Sequence, residues 1–161
     1  MTARVLNKMI HYFGNDVRRV NHALKVFGFA EAIAGLEKLS GFQSTVVELA
    51  AILHDIGIKE AERKYNSSAG KYQEMEGPPI AEEILKSEGI DTPVIDRVCY
   101  LIGNHHSYGK IDGEDFQILV EADFLVNIDE DAMAAEAIES VKAKYFKTTA
   151  GKGILESLYK I

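Results

Sequence analysis

Six side chains in this sequence have the types and spacing to do chemistry together: His22, three positions after Arg19; the adjacent His54 and Asp55; the adjacent His105 and His106; and Asp123. Imidazole and carboxylate are the common protein ligands for divalent metals, and a site needs them to converge from separate elements so that packing fixes its geometry. These residues fall on four separate predicted helices. Neighbours on a helix point about 100° apart, so His54 and Asp55 can face one ion only where the helix stops. Gly57, read as a C-terminal cap, supplies that stop. Asp123 interrupts the apolar run ILVEADFLV, and a buried carboxylate there demands a cation, either a metal or a lysine. Each residue also has a purely structural reading: His22 as a hydrogen-bonded core imidazole, His105 and His106 as cationic ends of a helix. His11 is assigned such a structural role, and Glu121 is read as solvated or paired with a base.

The elements that must position these groups are helices. Apolar residues recur at three and four, as in Val5, Met9, Ile10 and Phe13 and then Val17, Val20, Leu24 and Phe27. Asn15 is expected to cap a second helix running to about Leu39, with Gly41 closing that region. A third, from about Ser44, carries VVELAAILHDIG, whose all-round apolar character marks the buried central helix. The polar stretch 59–76, with breakers Asn66, Ser67, Ser68 and Gly70, reads as a mobile loop. A helix is expected to open at Pro78 and Pro79, another at Thr92 and Pro93. The segment FQILVEADFLVNI forms the next, and two more fill residues 130–145 and 150–160. The expected fold is all-α, a single bundle of about six to eight helices over 1–161. Its motif-bearing core spans 15–127, and the C-terminal helices span 128–161.

A chain of 161 residues can bury a core without disulfides. Its single cysteine, Cys99 in the apolar RVCYLI, reads as core filler in a reducing compartment. No run of about 18 apolar residues occurs, and the N-terminus lacks the pattern of a signal peptide, so a cytoplasmic protein with no membrane partner is expected. The net charge of −7 and the missing basic stripe argue against polymeric nucleic acid. A small anionic substrate stays compatible, because a bound dication inverts the field inside one pocket.

In order, the segments RVNH at 19–22, AAILHDIG at 50–57, LIGNHH at 101–106 and EADFL at 121–125 form a pattern. The chain resembles the HD-domain superfamily of metal-dependent phosphohydrolases over about residues 15–127. The resemblance implies that His22, His54, Asp55 and Asp123 hold a divalent ion: Mn, Fe, Co, Ni, Zn or Mg. Members with two ions supply further histidines; His105 and His106 match the later of these. The intermediate histidine is missing, and Glu74 and Glu76 stand in its region. One metal site is therefore expected, with a second in question. After His106 the chain reads SYGKIDGED, without the GYP signature of the cyclic-di-GMP phosphodiesterase branch. It resembles the small stand-alone members.

The function implied is hydrolysis of a small phosphorylated metabolite, nucleotides included, by metal-activated water. Asp55 would orient that water or take its proton, and His105 or His106 would stabilise developing charge or protonate the leaving oxygen. Arg19 and Lys59 are candidate phosphate ligands, with Lys64 and Lys71 available to close over a substrate. Two alternatives stay open: a di-iron oxygenase of the same fold, and a regulatory module that binds metal without turnover. A homo-oligomer is also left open.

Overall fold

The computed structural model describes residues 1–161. Nine helices follow one another: α1 Thr2–Phe13, α2 Val17–Leu36, α3 Gly41–Leu53, α4 Ile58–Tyr65, α5 Gly70–Ser87, α6 Thr92–Ile102, α7 Glu114–Glu130, α8 Ala135–Tyr145 and α9 Thr149–Tyr159. There is no strand, and a single 3-10 turn at Tyr108–Lys110 precedes α7. No helix is long and apolar enough to cross a membrane.

The centre is α3, which buries Val46, Val47 and then Leu49 through Leu53 without a gap. Burial all round requires neighbours all round. α2 and α7 pack on α3 and on each other, α6 closes another side, and α1 covers a further one. α7 likewise buries residues on every face, from Phe116 to Ile128. The resulting apolar cluster draws on every helix except α4.

The count of nine exceeds the expected six to eight because the polar stretch 59–76 is not a loop. Ile58–Tyr65 is helical, Asn66 ends it in the left-handed region at φ 50°, and α5 restarts at Gly70. Only four residues separate the two helices, so polarity here marked solvated helix faces rather than missing structure. α5 therefore begins well before the prolines and carries Pro78 and Pro79 inside it. They remove two donors and leave the carbonyls of Glu74 and Met75 without helical partners. The cap of α2 is also one residue later than expected: Asp16, not Asn15, accepts from the Arg19 N–H.

Gly57 has a different reason from the one its position suggested. Its φ is −76°, an ordinary right-handed value, so it is no left-handed cap. A Cβ there would stand 2.5 Å from Gly77 N and 2.6 Å from the Gln73 carbonyl oxygen. Gly77 is confined by a side chain instead, since its own Cβ would meet Ile102 Cγ2 at 2.6 Å. The turn after α3 and the backbone of α5 thus touch directly, glycine against glycine, which fixes where the His54–Asp55 turn lies.

Glu121 is fully buried, not solvated. Its carboxylate accepts from the backbone N–H groups of Lys147 and Thr148, the Thr148 hydroxyl and Gln117, tying α7 to the entry of α9. Cys99 is half-buried, with its thiol on the Pro78 carbonyl, and burial pushes its pKa up to about 11. His11 is exposed.

Candidate metal centre

Two helix ends aim imidazoles by the same local device. The last carbonyls of a helix lack intrahelical partners. At the end of α3, His54 Nδ1–H donates to the Ala51 carbonyl three residues back, at 2.8 Å; at the end of α6, His105 Nδ1–H donates to the Ile102 carbonyl, also at 2.8 Å. A carbonyl can only accept, so each Nδ1 carries the proton and each Nε2 presents a lone pair. His22, on α2, reaches the same state through a side chain. Its Nδ1–H donates to Glu130 Oε2 at 3.0 Å, and Glu130 Oε1 is held by Lys25 Nζ at 2.7 Å. An imidazole whose far nitrogen is fixed by carbonyl or carboxylate is the usual arrangement around a metal.

The Nε2 atoms of His22 and His54 converge in the interior, and that of His105 reaches Asp55 beside them. His22 Nε2 lies 3.2 Å from His54 Nε2. Asp123 Oδ1 is 3.2 Å from the first and 3.5 Å from the second, while Asp55 Oδ2 is 3.5 Å and 3.4 Å from the same pair. Two lone pairs and two carboxylates at such separations repel one another unless positive charge lies between them. Protonation supplies it in the metal-free protein. Burial alone would lower the pKa of His54, but the Asp55 charge and hydrogen bonds to Asp123 and Asp55 carry it well above 6.5. His22 is raised in the same way, burial being outweighed first by its hydrogen bond to Asp123. Both aspartates respond reciprocally. Burial opposes ionisation, yet His54 and His105 hold Asp55, and His22 and His54 hold Asp123, below the usual carboxylate range.

His105 Nε2 is the one fully buried side-chain polar atom without a hydrogen-bond partner. It points at Asp55 Oδ1, 3.5 Å away. An orphaned buried acceptor beside a carboxylate is an arrangement that a cation would satisfy, so the donors fit a divalent ion. They form two groups with ligand atoms mutually within 4.8 Å: His22, His54 and Asp123, and then Asp55, His105 and His106. Asp55 turns Oδ2 to the first group and Oδ1 to the second. Burial and the neighbouring His105 lower His106 to a pKa of about 4, so its ring is neutral.

Neither glutamate in the region of the missing histidine is a donor of the second group, although Glu74 holds His106 from behind. Glu74 accepts from the His106 N–H and the Ser107 hydroxyl, both at 3.0 Å, and Glu76 pairs with Lys64 and Tyr65. Gly70 lets α5 approach, since a Cβ there would lie 2.9 Å from the His106 ring.

A polar cleft of about 390 Å³ opens onto His22, Asp55 and Glu130, with Arg18 and Arg19 on its wall. Arg19 is held against Asp16 and Glu62. Lys59 is elsewhere: its ammonium donates to the Tyr12 carbonyl at 3.0 Å and lies over the Tyr12 ring. Lys64 is bound to Glu76, and Lys71 lies over Tyr72. Sequence reading missed Glu130 and Asn127, whose amide donates to Asp123 Oδ1 at 3.0 Å. The signal was present, because 123, 127 and 130 are an i, i+4, i+7 stripe on one helix face.

The model of the HD domain family matches residues 19–145. Among solved structures, the chain is similar to a predicted HD superfamily hydrolase from an uncultured Thermotogales bacterium. The identity is 26%, the TM-score is 0.70, and the match covers 97% of this chain and 83% of that one. No curated protein matches the chain. With the ordered His, His-Asp and Asp positions brought to one buried point and the family's model spanning most of the sequence, the chain belongs to the HD-domain family.

Proposed function

We propose that this protein is a metal-dependent phosphohydrolase acting on a small phosphorylated metabolite. The observation that carries the reading is the convergence of three imidazole lone pairs and two aspartates at the edge of a polar cleft. His22, His54, Asp55 and Asp123 would hold one divalent ion, and Asp55 with His105 and His106 a second. Such an ion lowers the pKa of water and neutralises charge on phosphoryl oxygens. Asp55, on the cleft wall, orients the attacking water and accepts its proton. Arg18 and Arg19 bring guanidinium groups to the same wall, where a phosphoryl group is recognised by planar donors. The similarity to a protein described as a hydrolase supports the reaction class.

The test is metal analysis of the purified protein, followed by phosphate release with Mn, Co, Ni, Mg, Zn or Fe. Asp55→Ala should lose both metal and turnover. Full activity and metal content in that variant would refute the reading. The second donor group supports one other reading, a di-iron oxygenase, which predicts iron in the purified protein and oxygen uptake with no phosphate release.

A further inference from the structure

The walls of the cleft say what kind of molecule carries the phosphate. Ile58 is their only apolar residue, no Phe, Tyr or Trp is among them, and the one ring, His22, is held by Glu130 with its Nε2 turned to His54 and Asp123. A nucleobase binds by laying its face on an aromatic or apolar platform, worth about 1–3 kcal/mol per base. Ile58 alone offers no such platform. The aromatic group beyond Asp123 does not replace it: Phe124 stacks on Tyr145 at 5.1 Å between centroids and Tyr108 packs on Tyr145 at 4.6 Å, so these rings cover one another.

What the cleft offers instead is hydrogen-bonding capacity. Ser68 and Asp131 are exposed on the cleft and form no side-chain ion pair or hydrogen bond across it. Asn127 donates its amide to Asp123, which leaves its carbonyl oxygen to accept. Arg18 forms no ion pair and is free for an anion. A carboxylate such as Asp131 accepts from hydroxyl groups and repels a second phosphate or a carboxylate. The combination suits a molecule with one phosphate and several hydroxyls.

We infer that the substrate of this cleft is the monophosphate of a hydroxyl-rich aliphatic compound, a sugar or polyol phosphate, in preference to a nucleotide. The inference rests on the phosphohydrolase reading above. Arg18 anchors the phosphate, and Ser68, Asn127 and Asp131 take the hydroxyls. Water forms the new P–O bond, the ester P–O bond breaks, and the proton given up by water ends on the released hydroxyl. No oxidant or reductant is needed.

The comparison that isolates the base is ribose 5-phosphate against AMP, with p-nitrophenyl phosphate as a generic ester, on metal-loaded protein. Ribose 5-phosphate should exceed AMP in kcat/KM by about tenfold or more. Asp131→Ala and Ser68→Ala should raise its KM several-fold with kcat held. Saturation-transfer NMR of AMP on the metal-free protein gives a readout without turnover: ribose protons should receive saturation and adenine protons little. AMP turned over as well as ribose 5-phosphate, or adenine protons saturated as strongly as ribose ones, would overturn the inference and leave phosphohydrolysis standing. No phosphate from any of the three esters would overturn both.

Discussion

Removing the Glu130 carboxylate should weaken metal binding by about 10- to 100-fold, although Glu130 is not itself a ligand. Glu130 Oε2 accepts from His22 Nδ1 at 3.0 Å, and its other oxygen is steadied by Lys25 at 2.7 Å. In Glu130→Ala the His22 ring loses the contact that sets its tautomer, and a mostly buried Nδ1–H is left unpaired. A 10- to 100-fold loss corresponds to about 1.4–2.7 kcal/mol. That is in the range of one charge-assisted hydrogen bond. Glu130→Gln keeps an acceptor oxygen and should lose less than about tenfold. Lys25→Ala is the control: its side chain is 48% exposed, so its pair with Glu130 contributes at most about 1 kcal/mol. The assay is competition for Mn or Co against a chromogenic chelator, with thermal unfolding of the metal-free proteins measured in parallel. If Glu130→Ala bound metal as tightly as the parent protein, the role assigned to this carboxylate would be wrong. If it lost affinity only in proportion to a general loss of stability, the orientation argument would fail as well.

Two further outcomes are expected. Gly57→Ala places a Cβ against the backbone of α5, which cannot swing aside, and should cost about 3 kcal/mol or more in chemical denaturation. Gly77→Ala meets only the Ile102 side chain and should cost less; the reverse order would contradict the crossing described above. In the metal-free protein, stability should also have a pH window. His54 has a folded pKa above its usual 6.5, so its contribution is complete below 6.5 and is lost as pH rises through the folded value. Asp55 and Asp123 have folded values below their usual 3.8, so theirs is present above 3.8 and is lost as pH falls. His106 works the other way below 6.5, because its folded value of about 4 makes stability fall as pH drops from 6.5 toward 4. The melting temperature should therefore be highest at about 6.5 without metal, and metal loading should remove the alkaline decline, since the ion takes over from the protons. A flat metal-free profile from pH 6 to 9 would count against the charge balance proposed for the cluster.

What could be read from the sequence was what short range determines. The turn bearing His54 and Asp55 was visible because an apolar helix, a His-Asp pair and a glycine follow one another. Asp123 was visible because a carboxylate broke an apolar face. The 59–76 segment was misread because its order comes from distant partners: Gly70 makes room for His106, and Glu74 accepts from the His106 N–H and the Ser107 hydroxyl. The same is true of Glu121, whose acceptor role depends on backbone groups 26 and 27 residues further on. Lys59 looked available to an anion because nothing local reveals the Tyr12 carbonyl, 47 positions away.

The two helix-end histidines imply an order of assembly. His54 and His105 take their direction from carbonyls at a separation of three residues, contacts that form as soon as α3 and α6 end. His22 takes its direction from Glu130, at a separation of 108 residues, and must wait for the last turn of α7 to dock. Contacts closing so long a stretch of chain come late and carry the larger entropic cost. Of the three imidazoles, His22 is thus aimed last during folding and is the first released when the C-terminal end of α7 frays.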